Sequence, residues 1–103
     1  MISEPKFNSF KEFYPFYLSE HSKRSTKILH MMGSIGVILM ILYSFYSSNT
    51  KILYYIPVVG YGFAWIGHFF FEKNRPATFT YPLYSFIGDW IMLKDILLGK
   101  VKL

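Results

Sequence analysis

Cysteine is absent from all 103 residues, which excludes disulfides, thiolate zinc sites and cysteine nucleophiles. Charge is scarce too. Only 17% of residues are charged, against 52% hydrophobic and 21% aromatic. An ordinary soluble domain carries about 25% charged residues. The charges are missing in blocks: none falls in the 23 residues between Lys27 and Lys51, or in the 20 between Lys51 and Glu72. About 20 helical residues cross a hydrocarbon core of roughly 30 Å. Both gaps are therefore expected to be transmembrane helices, over about residues 26–47 and 52–71. Neither reads as a signal peptide, because the first begins well inside the chain and no small-residue cleavage site follows it.

The charges that remain orient the hairpin. Lys6, Lys11, Lys23, Arg24 and Lys27 precede the first gap, and Lys73, Arg75, Lys94, Lys100 and Lys102 follow the second. The connection between the gaps carries Lys51 alone. Cationic loops stay inside, so both termini are expected in the cytoplasm or on the cytosolic face of an organelle. The net charge of +5 then reflects juxtamembrane segments facing anionic headgroups, not a nucleic-acid surface.

Residues 1–8 read as a loose start. "SFKE", Ser9 to Glu12, matches a capping box and opens a helix. Phe7, Phe10, Tyr14, Tyr17 and His21 follow helical spacing, and Pro15 implies a kink or a later start. This helix is expected to lie at the membrane interface. "SKRST" offers a break before the first span, and "SSNT" is a polar turn before the second. After the loop "KNRPATFTYP", a last helix fits 82–98, with Pro82 in its first turn and Gly99 as its stop. The expected architecture is a single all-α integral membrane domain, 1–103. It is a two-span antiparallel helical hairpin with N-terminal and C-terminal interfacial or re-entrant helices.

Three histidines occur, His21, His30 and His68. The hairpin puts His30 near the start of one span and His68 near the end of the other, at similar depth, with His21 on the same side. At 100° per residue, His68 and Glu72 differ by about 40° and share a helix face. Gly60, Ala64 and Gly67 lie on or beside that face, and Gly33, Ser34 and Val37 flank His30. Small residues let membrane helices approach closely. His21 and His30 would be about 180° apart on one straight helix, so both reach one site only if the chain bends in "SKRST". Imidazoles with a carboxylate and no thiol suit Fe(II), Mn(II) or Zn(II). Asp89, among Ile87, Trp90, Ile91 and Met92, is a second acid in apolar company, either a further ligand or a hydrogen-bond acceptor for a ligating imidazole. Lys73 and Arg75 can meet a carboxylate headgroup, Arg75 with bidentate geometry. Each of these residues also has an ordinary reading: a histidine or arginine as an interfacial anchor, a carboxylate paired with a neighbouring lysine.

"FYPFYLSEH" (13–21), "LHMMGS" (29–34) and the run from Val58 to Asp95, above all "GHFFFEKNRPATF" and "GDWIMLKD", resemble the family of the yeast 2-hydroxy fatty acid dioxygenase. The resemblance covers about residues 7–100. It implies an Fe(II)-dependent membrane dioxygenase that uses O2 to shorten a 2-hydroxy fatty acid by one carbon, releasing CO2. The family's histidines fall on His21, His30 and His68, and its acidic positions on Glu72 and Asp89. On this reading the histidines hold Fe(II), Glu72 is a candidate fourth ligand, Asp89 supports the ligands, and Arg75 or Lys73 steadies the substrate carboxylate. The compact chain suggests a bacterial homologue in the inner membrane; a eukaryotic one would lie in the endoplasmic reticulum. Two other readings remain: a haem carrier with His30 and His68 as axial ligands, and a non-enzymatic lipid-binding scaffold. A chain this small is also a candidate for dimerisation.

Overall fold

The computed structural model describes residues 7–103, so most of the loose start expected over 1–8 lies outside the described residues. Among the described residues every regular element is helical. The α-helices are α1 (Phe10–Ser19), α2 (Arg24–Ser47), α3 (Ile56–Ile66) and α4 (Pro82–Leu97).

The capping box sets the start of α1. Ser9 is extended and its Oγ accepts the Glu12 N–H at 3.3 Å, while the Glu12 carboxylate accepts the Asn8 N–H at 3.0 Å. The helix passes through Pro15, so its beginning is Phe10. The aromatic stripe is not laid bare at an interface: Phe13 and Tyr17, one turn apart, are fully buried in a cluster with Ala77 and Met92. α1 docks on α4, and Gly88 permits it: a Cβ there would stand 3.0 Å from the Tyr17 ring.

α2 ends at Ser48 in the left-handed region, with φ 56°. A 3-10 turn over Thr50–Tyr55 leads into α3, with Pro57 in the first turn of the helix, where its missing N–H costs nothing. Past Ile66 the helix widens into a π-helical segment, Gly67–Glu72, which Lys73 closes at φ 61°. The expected 52–71 span is thus part of one helical stretch, Thr50–Glu72. It and α2 are both long and apolar enough to cross a membrane, with mean hydropathies of 1.2 and 2.0. Only 17% and 22% of their apolar windows is buried, unlike the core helices of a soluble protein. The two run antiparallel: Thr26 approaches Gly67, Gly33 approaches Gly60 and Phe63, and Gly36 approaches Val59. A Cβ on Gly33 would lie 3.2 Å from the Gly60 carbonyl oxygen. α4 opens on Pro82 and stops before Gly99, at φ 78°. At 16 residues it is shorter than the roughly 20 that crossing requires.

Candidate metal centre

The chain breaks between Ser19 and Arg24, and that break brings His21 to His30. Their Nε2 atoms are 3.0 Å apart. His68, on the π segment, places its Nε2 3.4 Å from that of His30. All three rings are buried, and their ligand atoms lie within 4.8 Å of one another.

The other nitrogen of each ring is held. His21 Nδ1 donates to the Tyr17 carbonyl at 2.6 Å. His30 Nδ1 faces Asp89 Oδ1 at 3.4 Å. His68 Nδ1 donates to Asn74 Oδ1 at 2.7 Å. The Asn74 amide is fixed in turn, because its Nδ2 donates to the Glu20 carbonyl at 3.0 Å and to the Glu20 carboxylate. These partners only accept: the hydrogen bonds assign the ring protons of His21 and His68 to Nδ1, and the facing Asp89 carboxylate favours the same tautomer for His30. Burial, aided by His30 and His68, holds His21 well below its usual pKa and so neutral.

Three Nε2 lone pairs therefore converge with no proton among them. Such an arrangement is repulsive unless a cation lies between them. It is also what ligand sets look like: a ligating imidazole donates its other N–H to a carbonyl, carboxylate or similar acceptor. At metal–nitrogen bonds of about 2.1 Å, ligand nitrogens stand about 3.0 Å apart at a right angle and about 3.4 Å at a tetrahedral one. The residues fit a divalent metal, and the three histidines can hold one.

Asp89 also accepts a hydrogen bond from the Tyr17 hydroxyl. Burial and the facing carboxylate push the Tyr17 pKa well up, so its proton stays in place. Glu72, the candidate fourth ligand, is not brought into the cluster. Its carboxylate accepts the Ser22 hydroxyl at 2.8 Å and the Lys23 backbone N–H, at the start of α2. The cause is the π winding: the 100° step that aligned His68 with Glu72 holds only for an α-helix, and here Lys73 N–H reaches back five residues to the His68 carbonyl. Lys73 is exposed. The Arg75 guanidinium lies over the Phe79 ring, 5.2 Å from its centroid.

Asn74 and Tyr17 were not legible as site residues. An asparagine in a polar loop carries no signal, and one tyrosine among nine carries none either. Only the π turn reveals Asn74, whose backbone N–H also reaches the His68 carbonyl, at 3.0 Å.

The family described as 2-hydroxy-palmitic acid dioxygenase Mpo1-like matches residues 7–101. The chain belongs to the Mpo1-like family. No curated protein and no solved structure matches it.

Two spaces adjoin the histidines of this Mpo1-like chain. A cavity of about 10 Å³ is lined by His30, His68, Asp89, Ser85 and Tyr61, among others. That is about the room one water-sized ligand needs. A larger groove of about 270 Å³ shares Asp89 and Tyr61 with it and runs between α2, α3 and α4. Arg75 lines a different cavity, of about 220 Å³, with Glu20 and Tyr81.

Proposed function

We propose that this chain is a membrane-embedded Fe(II)-dependent dioxygenase that shortens 2-hydroxy fatty acids by one carbon with release of CO2. The observation that carries the reading is the convergence of three buried imidazole Nε2 atoms in a chain of the Mpo1-like family. One O2 and one 2-hydroxy acid balance to the shorter acid, CO2 and water, so no external reductant is needed. Iron, when bound, supplies the redox chemistry with O2.

The protein's own residues do the rest. His21, His30 and His68 hold the metal. Tyr17 and Asp89 keep the proton of His30 on Nδ1 and its ring in one orientation. Asn74 and Glu20 do the same for His68. The cavity beside His30 and His68 leaves room for one small ligand. Lys73 and Arg75, at the same end of α3, draw the acid's carboxylate to the cytoplasmic interface. The arginine and lysine bias supports an orientation with both termini in the cytoplasm.

Haem fits less well. Axial ligands on opposite sides of one iron stand about 4 Å apart at bonds of about 2.0 Å. His30 and His68 are closer than that, and His21 lies 3.0 Å from His30. A Soret band in purified protein would restore that reading.

Metal analysis after anaerobic purification is the test, on wild type beside His21→Ala, His30→Ala and His68→Ala. About one iron per wild-type chain, lost in each variant, is expected. Wild type without stoichiometric iron sinks the proposal. Incubation with Fe(II), O2 and 2-hydroxypalmitic acid should yield the acid one carbon shorter.

A further inference from the structure

The groove between α2, α3 and α4 has no part in holding the metal, yet it leads to the metal's edge. Its walls are Val37, Ile56, Pro57, Gly60, Phe86 and Trp90, and all are apolar. Its polar members are Asp89, beside His30, and Tyr61. Along α3 it is lined from Tyr61 to Ile56, so its far end, at Pro57, lies 11 residues or about 16 Å of helix from His68. It follows α3 away from the Lys73 and Arg75 end, from the middle of the apolar stretch toward Thr50.

We infer that this groove holds the acyl chain of the substrate, with the 2-hydroxy acid head at Asp89 and the histidines. This rests on the dioxygenase reading for the identity of the head. Three features favour an acyl chain over other occupants. The groove shares two walls, Asp89 and Tyr61, with the small cavity at His30 and His68. Its outer rim includes exposed apolar surface: Phe86 is 52% exposed, and Pro57 is exposed as well. A chain thus enters sideways from the hydrocarbon layer, head toward the basic interface and tail inward, as it lies in a leaflet. Third, about 270 Å³ is at the small end of ligand sites, enough for the part of a long chain nearest the head. The remainder extends past Pro57 into lipid. The groove therefore adds more to the binding of a long chain than to that of a short one, whose few carbons lie beside the head.

Gly60 forms the floor. A Cβ there would meet Val37 Cγ2 at 3.4 Å, an ordinary contact, and anything larger would fill the groove.

The test is photolabelling of the full-length protein in phospholipid nanodiscs by a 2-hydroxy fatty acid with a mid-chain diazirine. Label on groove residues, competed by unlabelled 2-hydroxypalmitic acid and not by added phospholipid, is expected. Label confined to the outer faces of α2 and α3, or competed equally by phospholipid, overturns the inference. Two variants add a second readout at matched iron content, Gly60→Leu and Ile56→Trp, the latter at the half-buried start of α3. Each should weaken groove labelling and lower kcat/KM for 2-hydroxypalmitic acid relative to 2-hydroxyoctanoic acid by roughly tenfold. An unchanged ratio in a variant that keeps its iron counts against the groove. Labelling does not need turnover. Groove labelling in iron-loaded protein that makes no shorter acid would retain the binding site and reject the dioxygenase reading. Turnover without groove labelling would do the reverse.

Discussion

The two ends of the long helices are built on different terms. Where α2 begins and the π segment ends, side chains meet protein: Phe13, Tyr17, His21 and Thr26 are 0–1% exposed. At the far end they meet surroundings: Phe45 is 81% exposed, Tyr46 88% and Tyr54 82%. The apolar character is the same, and the partners are not. At the near end α1, α4 and the loop after Lys73 wrap the helix ends and set an acceptor behind each of the three imidazoles. At the far end no element among the described residues covers the helices, which suits contact with lipid tails. The lesson is that hydrophobicity marks what must leave water, whereas packing marks where chemistry is held.

This contrast can be broken at graded cost. The largest effect is expected at His30, which touches both other histidines. His30→Ala should abolish stoichiometric iron and product formation, a greater loss than any residue behind the ligands can cause. Retained iron in that variant would overturn the ligand set. Next come the residues that orient the rings. Asp89→Asn and Asn74→Ala should each weaken iron affinity by about 10–100-fold while helical content by circular dichroism is unchanged. Equal affinity to wild type would mean that the rings need no support.

Smaller effects concern stability. Gly88→Ala forces a methyl against the Tyr17 ring, and the thermal midpoint should fall by the equivalent of about 1–3 kcal/mol. Glu72→Ala separates tether from ligand: losing its hydrogen bonds to Ser22 and the Lys23 N–H should cost about 0.5–1.5 kcal/mol and keep the iron. Iron loss at full stability would return Glu72 to the metal. The smallest effect is expected at the far end, where Phe45→Ala should shift stability by less than about 0.5 kcal/mol in a bilayer or micelle. A shift as large as that of Gly88→Ala would show that Phe45 has a partner, such as a second copy of the chain.

Much of the architecture was legible. Two charge-free gaps mark α2 and the Thr50–Glu72 stretch, Ser9 and Glu12 mark the start of α1, and Pro82 and Gly99 bracket α4. The gathering of His21, His30 and His68 was legible as well, because hairpin depth and one chain break suffice to predict it. Asn74 and the fate of Glu72 were not. Both depend on the π segment, and a change from four-residue to five-residue winding leaves no periodic trace over six residues. Nor was the burial of Tyr17 under Gly88, which joins positions 71 residues apart.

By itself, then, the sequence determined where charge is absent, and hence the two long apolar helices, and which residue types are present to bind a metal. Those are properties of composition and short-range spacing. Only the tertiary structure decided which nitrogen each imidazole presents, because that depends on the acceptor behind it. Those acceptors are Tyr17, Asp89 and Asn74, brought from α1, α4 and the turn after α3. Tyr17 and Asn74 stand four and six residues from their rings and Asp89 comes from another helix; in each case the placement is a fact of packing, and so is the direction in which three lone pairs point.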